Sequence, residues 1–161
     1  MNLKSDDLLE AWGAFFLAHA LSIRAIEEHM GSNTPLTLDE YDIMLGISRA
    51  VGGRIRYSAL ANATVFTRSG ITRVTKRLEQ RGFVKRVECE EDRRGAFASL
   101  TAEGRAAMRE TWRLYSKAII TLLDPCLDRA DARRFKEMLE KIIHQTRGES
   151  LVQIAVRRKT H

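Results

Sequence analysis

Between residues 67 and 100 the apolar side chains change their period, and that change limits what the centre of this chain can fold into. Ile71, Val74 and Leu78 recur at three and four, the spacing of one helix face. From Phe83 to Glu90, and again from Ala96 to Leu100, the alternation is two, the spacing of strands. Glu91-Asp-Arg-Arg-Gly95 between them supplies hairpin chemistry, and Gly82 suits the exit of the helix. A helix opened by Thr67 or Arg68 therefore runs straight into a two-stranded hairpin tipped by Arg93 and Arg94.

The flanking sequence is helical. Residues 5–30 carry Trp12, Phe16, His19, Ile23, Ile26 and Met30 at alternating spacings of four and three, a coiled-coil-like seam. Leu8, Leu9, Phe15 and Leu21 widen that face, so this helix is expected to bury itself on two sides. Gly31 suits its C-terminal cap. Thr37-Leu-Asp-Glu40 is a capping-box pattern, which starts a second helix near Leu38 that should run until Gly52-Gly53. Arg54-Ile-Arg-Tyr57 reads as an extended connector or one strand, and Ser58 can cap a short third helix. Thr101 caps a fifth helix over about 102–123, Pro125 interrupts, and a sixth spans about 128–145. With only two prolines in 161 residues and 44% hydrophobic content, long helices and a real core are both available. The expected fold is mainly α with a small β-hairpin wing. A winged helix-turn-helix lobe over 36–100 is flanked by dimerisation helices over 5–30 and 102–147, within one domain of 1–161.

The cations sort by face. Ser69, Thr72, Arg73 and Lys76 stand at i, i+3, i+4 and i+7, opposite the apolar face. Short hydroxyls permit close approach to base edges, and an arginine can bind guanine through two bonds in a major groove. Thr67 at the helix start, with Arg68 and Arg77 on its flanks, is placed for backbone phosphates. Arg93 and Arg94 on the hairpin tip suit a neighbouring minor groove, while Asp92 shapes the turn. Glu88, Glu90 and Glu91 repel phosphate and belong away from the groove, at the base of the wing. A formal charge of +6 agrees with a polyanionic partner.

These segments resemble the MarR family of bacterial transcription regulators. Leu36-Thr-Leu-Asp-Glu-Tyr-Asp-Ile-Met-Leu45 resembles the family's second helix. Arg68-Ser-Gly-Ile-Thr-Arg-Val-Thr-Lys-Arg-Leu-Glu79 with Arg81-Gly-Phe-Val84 is similar to its recognition helix and exit. Asp92-Arg-Arg-Gly95 with Leu100-Thr-Ala-Glu-Gly-Arg105 is similar to its wing and fifth helix. The family often has an acidic residue where Ala59 stands and a leucine where Thr64 stands. The resemblance implies a homodimer with interlocked terminal helices, binding a pseudopalindromic double-stranded operator as a repressor. It also implies release by a small aromatic or phenolic ligand held between the dimer helices and the DNA-binding lobe. Candidate walls of that cleft are Trp12, Phe16, His19, Tyr41 and Trp112, with Arg24 or Arg49 as carboxylate partners. Each has a plainer reading, in which His19 is a hydrogen-bonded interface residue and the tryptophans are core or dimer packing.

Other chemistries find little support. His19, His29, His144 and His161 form no ligand-spaced set, and no phosphate loop or nucleophile motif occurs, so neither an enzyme nor a metal or cofactor site is expected. Cys89 and Cys126 make no CxxC pair; Cys89, near Lys85, Arg86 and Arg93, leaves a redox-sensing regulator as an alternative. A helical oligomerisation protein without DNA function would leave Arg73, Lys76, Arg93 and Arg94 without a task. No signal-peptide core and no membrane span is expected, which places the chain in a reducing cytoplasm.

Overall fold

In a computed structural model, residues 5–63, 68–88 and 96–147 are described, with side chains outside 61–69 and 147. Helix α1 covers Ser5–Met30 and ends where Gly31, at φ +71°, donates its N–H to the carbonyl of Glu27. Helix α2, Leu38–Arg49, opens on the expected capping box: Thr37 Oγ1 accepts from the Glu40 N–H, and the Glu40 carboxylate accepts from the Thr37 N–H. It stops earlier than its sequence pattern implies. Ala50 is extended, and a 3-10 turn over Val51–Gly53 follows, with Gly52 and Gly53 both at positive φ. Two consecutive left-handed residues close that turn, which glycine adopts at little steric cost.

Strand β1 (Arg54–Arg56), helix α3 (Tyr57–Ala63) and helix α4 (Arg68–Gln80) come next. Gly82, at φ +73°, donates to Glu79, and the Phe83 N–H reaches back to Leu78. That Schellman exit turns the chain from helix into strand. Strands β2 (Val84–Glu88) and β3 (Ala96–Leu100) pair antiparallel, and β1 adds to the other side of β3, opposite Ser99, Ala98 and Phe97. The connector is therefore a true third strand. Alternation then sends Ala96, Ala98 and Leu100 inward, and Ala98 and Leu100 join the core shared with α2, α3 and α4. Leu36, Ile43, Met44, Ile47, Leu60 and Leu78 complete that core, each at most 1% exposed.

Helix α5 spans Ala102–Leu123 and α6 spans Arg129–Arg147; Asp128 caps α6 by accepting from the Ala130 and Asp131 N–H groups. A second, smaller core joins Ile26 of α1, Leu38 of α2 and Ala118 of α5. Here the expectation that α1 buries two sides fails within one chain. Only its C-terminal half packs on α5; Leu9, Trp12 and Phe16 remain 60–69% exposed. The terminal helices do not pair as a set either, because Met138, Ile142 and Ile143 of α6 stay exposed. A further correction concerns hydropathy. By length and composition alone α1 does reach what a membrane span needs, although its C-terminal half packs against protein.

Candidate nucleic-acid interface

The faces of α4 separate as the sequence pattern requires. Ile71, Val74 and Leu78 are buried, while Thr72, Arg73 and Lys76 are exposed on the other side. The buried face also carries one polar residue, Thr75, whose hydroxyl donates to the Ile71 carbonyl at 2.5 Å. That internal bond satisfies Thr75 without water. Arg68 and Ser69 lie in the first turn of α4, their side chains outside the described set. Thr67, Arg93 and Arg94 fall outside the described residues altogether, as does Cys89. Cys126 is exposed and unbonded to another cysteine.

Arg77 has a partner that its sequence position does not reveal. Its Nε donates to Oε1 of Glu40 at 2.7 Å, and Nη1 of Arg81 donates to Oε2 at 2.8 Å. The Glu40 side chain is 1% exposed. Burial raises its pKa, but the Thr37 N–H and the Arg81 and Arg77 guanidinium groups outweigh burial and hold the carboxyl below the usual range. Arg81 is tied further: Nη2 reaches the Pro35 carbonyl at 2.5 Å, and the guanidinium lies 4.6 Å from the centre of the Phe83 ring. The first turn of α2 is thereby bolted to the last turn of α4.

A second polar link runs under the wing. The Tyr57 hydroxyl donates to Glu79, and Arg86 of β2 sits 5.5 Å above the Tyr57 ring. Burial and the Glu79 carboxylate both push the Tyr57 phenol upward, against the opposing pull of Arg86. These groups, with Ile71, Thr72 and Lys76, line a cavity of about 530 Å³ between α3, α4 and β2.

The wing base and α5 meet without slack. Thr101 Oγ1 donates to the Gly82 carbonyl at 2.7 Å and accepts from the Gly104 N–H at 2.9 Å. A Cβ on Gly104 would stand 2.1 Å from the Phe83 carbonyl oxygen, so only glycine fits. Arg105 Nη1 donates to the Leu100 carbonyl at 2.9 Å. The run Leu100-Thr-Ala-Glu-Gly-Arg105 is thus a joint between the exit of α4, the sheet and the long helix.

The expected cleft residues form two groups of rings within one chain. Phe15 contacts Trp12 on one side and His19 on the other along α1, with Phe16 exposed beside them. Tyr41 stacks on Trp112 at 6.2 Å, and Tyr115 meets both edge-on. Arg24 pairs with Glu28 on the surface, and Arg49 partly offsets the upward shift that burial and Asp39 impose on Asp42. The Thr111 hydroxyl on α5 is fully buried and has no hydrogen-bond partner among the described residues.

Comparison with known proteins agrees with this architecture. The MarR family model matches residues 36–95. The HTH-type transcriptional regulator PrsX of Escherichia coli is 49% identical over 47 residues, 29% of this chain and 28% of that protein. The matched stretch is therefore well under a third of that relative's length. Over nearly the whole chain, the fold is similar to AbsC, a MarR family transcriptional regulator from Streptomyces coelicolor. That match has 28% identity and a TM-score of 0.76, covering 92% of this chain and 100% of that one. Sco3205 from the same organism, solved in complex with DNA, shares the fold at TM-score 0.77 and 23% identity, over 93% and 94% of the two chains. Motif order, sheet topology and these likenesses converge on one resemblance: the lobe matches the MarR family model, and the whole chain is similar in fold to MarR family regulators.

Proposed function

We propose that this chain is a sequence-specific, double-stranded-DNA-binding transcriptional regulator, a repressor that acts as a homodimer on a pseudopalindromic operator. The observation that carries the reading is the division of α4, with Thr72, Arg73 and Lys76 exposed together opposite a fully packed apolar face. Arg73 reads a base, Thr72 and Lys76 support it, and Thr67, Arg68 and Arg77 hold phosphates. Arg93 and Arg94 enter the minor groove from the wing. Sco3205, of the same fold, binds DNA. The exposed apolar residues of α1 and α6 support a two-fold partner, and dimer symmetry sets half-sites about one helical turn apart. A small aromatic or phenolic ligand acting between the long helices and the lobe releases the DNA; the Tyr41, Trp112 and Tyr115 rings offer it a stacking wall. Such a regulator works in the cytoplasm and performs no catalysis.

The test is fluorescence anisotropy with DNA flanking the protein's own gene, across a salt series. Tight binding with a steep salt slope is expected, because several phosphates are neutralised per dimer. No preference over random DNA would sink the reading. Arg73→Ala should relax the preferred sequence, at a cost of roughly 1–3 kcal/mol in discrimination at one position. An unchanged preference would move the groove face elsewhere on α4.

A further inference from the structure

Glu40 is a buried carboxylate that faces two arginines, one in the last turn of the helix assigned to the groove and one just past its end, and capping α2 requires neither of them. Arg77, in the last turn of α4, and Arg81, just past its end and bonded back to the Arg77 carbonyl, stand at i and i+4, where two like charges repel. Glu40 lies between them and neutralises one charge, so the trio keeps one net positive charge. The two arginines differ in what remains to them. Arg81 spends Nη1 on Glu40 and Nη2 on the Pro35 carbonyl, and its plane covers Phe83. Arg77 meets Glu40 through Nε, and its side chain remains 47% exposed. A guanidinium is a rigid fork, so fixing Nε on one side fixes where its terminal nitrogens point.

We propose that Glu40 is a positioning residue for DNA binding: it holds Arg77 rigid on the flank of α4, so that the outer nitrogens of Arg77 grip one backbone phosphate. The proposal rests on α4 being the DNA-reading helix. Arg81 is then the structural cation and Arg77 the working one. Preorganisation matters because a free arginine loses rotamer entropy when it binds, whereas this one has lost it on folding.

The experiment measures operator affinity and salt slope for wild type, Glu40→Gln, Arg77→Ala and the double variant, with thermal melts alongside. Glutamine keeps an oxygen for the Thr37 N–H, so the cap survives while the charge is lost. Glu40→Gln and Arg77→Ala should each weaken binding by about tenfold or more and lower the salt slope by about one ion per protomer. The double variant should be no weaker than Arg77→Ala alone, within about twofold, because both act on one contact. Losses that multiply, or a wild-type slope in Glu40→Gln, would overturn the proposal and leave Glu40 as a structural bolt. Should Glu40→Gln fail to fold, Arg77→Lys decides: it retains the charge but lacks the fork, and wild-type affinity in that variant overturns the proposal. A wild-type protein without salt-dependent operator binding would instead remove the regulator reading, and this inference with it.

Discussion

The lobe over residues 36–100 and the long helices that flank it are built to different standards of closure. In the lobe, α2 has a reciprocal cap, α4 has a Schellman exit, and the one buried carboxylate of the described core faces two arginines. Leu36, Ile43, Met44, Ile47, Leu60 and Leu78 are each at most 1% exposed. In the N-terminal half of α1 and along α6, residues of the same chemistry stand in the open: Leu9 at 69%, Phe16 at 65%, Met138 at 54%. The lobe closes its core within a single chain, and the long helices leave large apolar side chains exposed. In the proposed dimer these are separate demands: reading DNA needs a rigid unit, and spacing two such units needs a second copy.

Breaking the lobe should cost most at its tightest point. Gly104→Ala places a methyl within 2.1 Å of a backbone oxygen, which side-chain rearrangement cannot relieve. A loss of about 3 kcal/mol or more in denaturant unfolding is expected. A change below about 1 kcal/mol would mean that the joint between α5 and the wing is looser than its geometry. A smaller effect tests the buried pair. Since the folded pKa of Glu40 lies below its ordinary value of 4.5, the unfolded chain binds that proton more readily. Its stabilisation is therefore present above the unfolded value and is lost as pH falls through the folded one. Acid titration of stability should be flatter in Glu40→Gln over that window, and parallel curves would refute the linkage. The smallest intrinsic effect belongs to the exposed arm. Phe16→Ser should alter the lobe itself by no more than about 0.5 kcal/mol. Melting of the wild type should nevertheless rise with protein concentration, and that of Phe16→Ser should rise less. A wild-type melt independent of concentration would erase the contrast between the two regions.

Local signals made most of the fold legible. Thr37 and Glu40, Gly31, Gly82 and Thr101 each mark a helix boundary through chemistry that acts within five residues, and all act as marked. The separation of Thr72, Arg73 and Lys76 from Ile71, Val74 and Leu78 was equally plain, since helical period alone decides it. What stayed hidden was long-range. Glu40 satisfies its local cap so well that nothing in its neighbourhood calls for Arg77, 37 residues away. The pairing of β1 with β3 was invisible for the same reason, because three residues carry too little alternation to name a partner. The premature stop of α2 lies in two glycines that could equally have ended the helix itself. Gly104 carried a readable sign: a glycine inside the first turn of a long helix has a steric reason more often than a propensity reason.

The seam at Gly104 has a geometric result. Helix α5 is 22 residues long, about 33 Å at the usual rise. Its near end abuts the Phe83 carbonyl with no room for a methyl group, so that end acts as a pivot and the shaft cannot slide. For a rod of that length, a rotation of about 10° sweeps the far end through about 6 Å. Two lobes on such rods would differ in operator register through angle rather than translation, and a ligand wedged near the pivot would have its effect magnified at the tips.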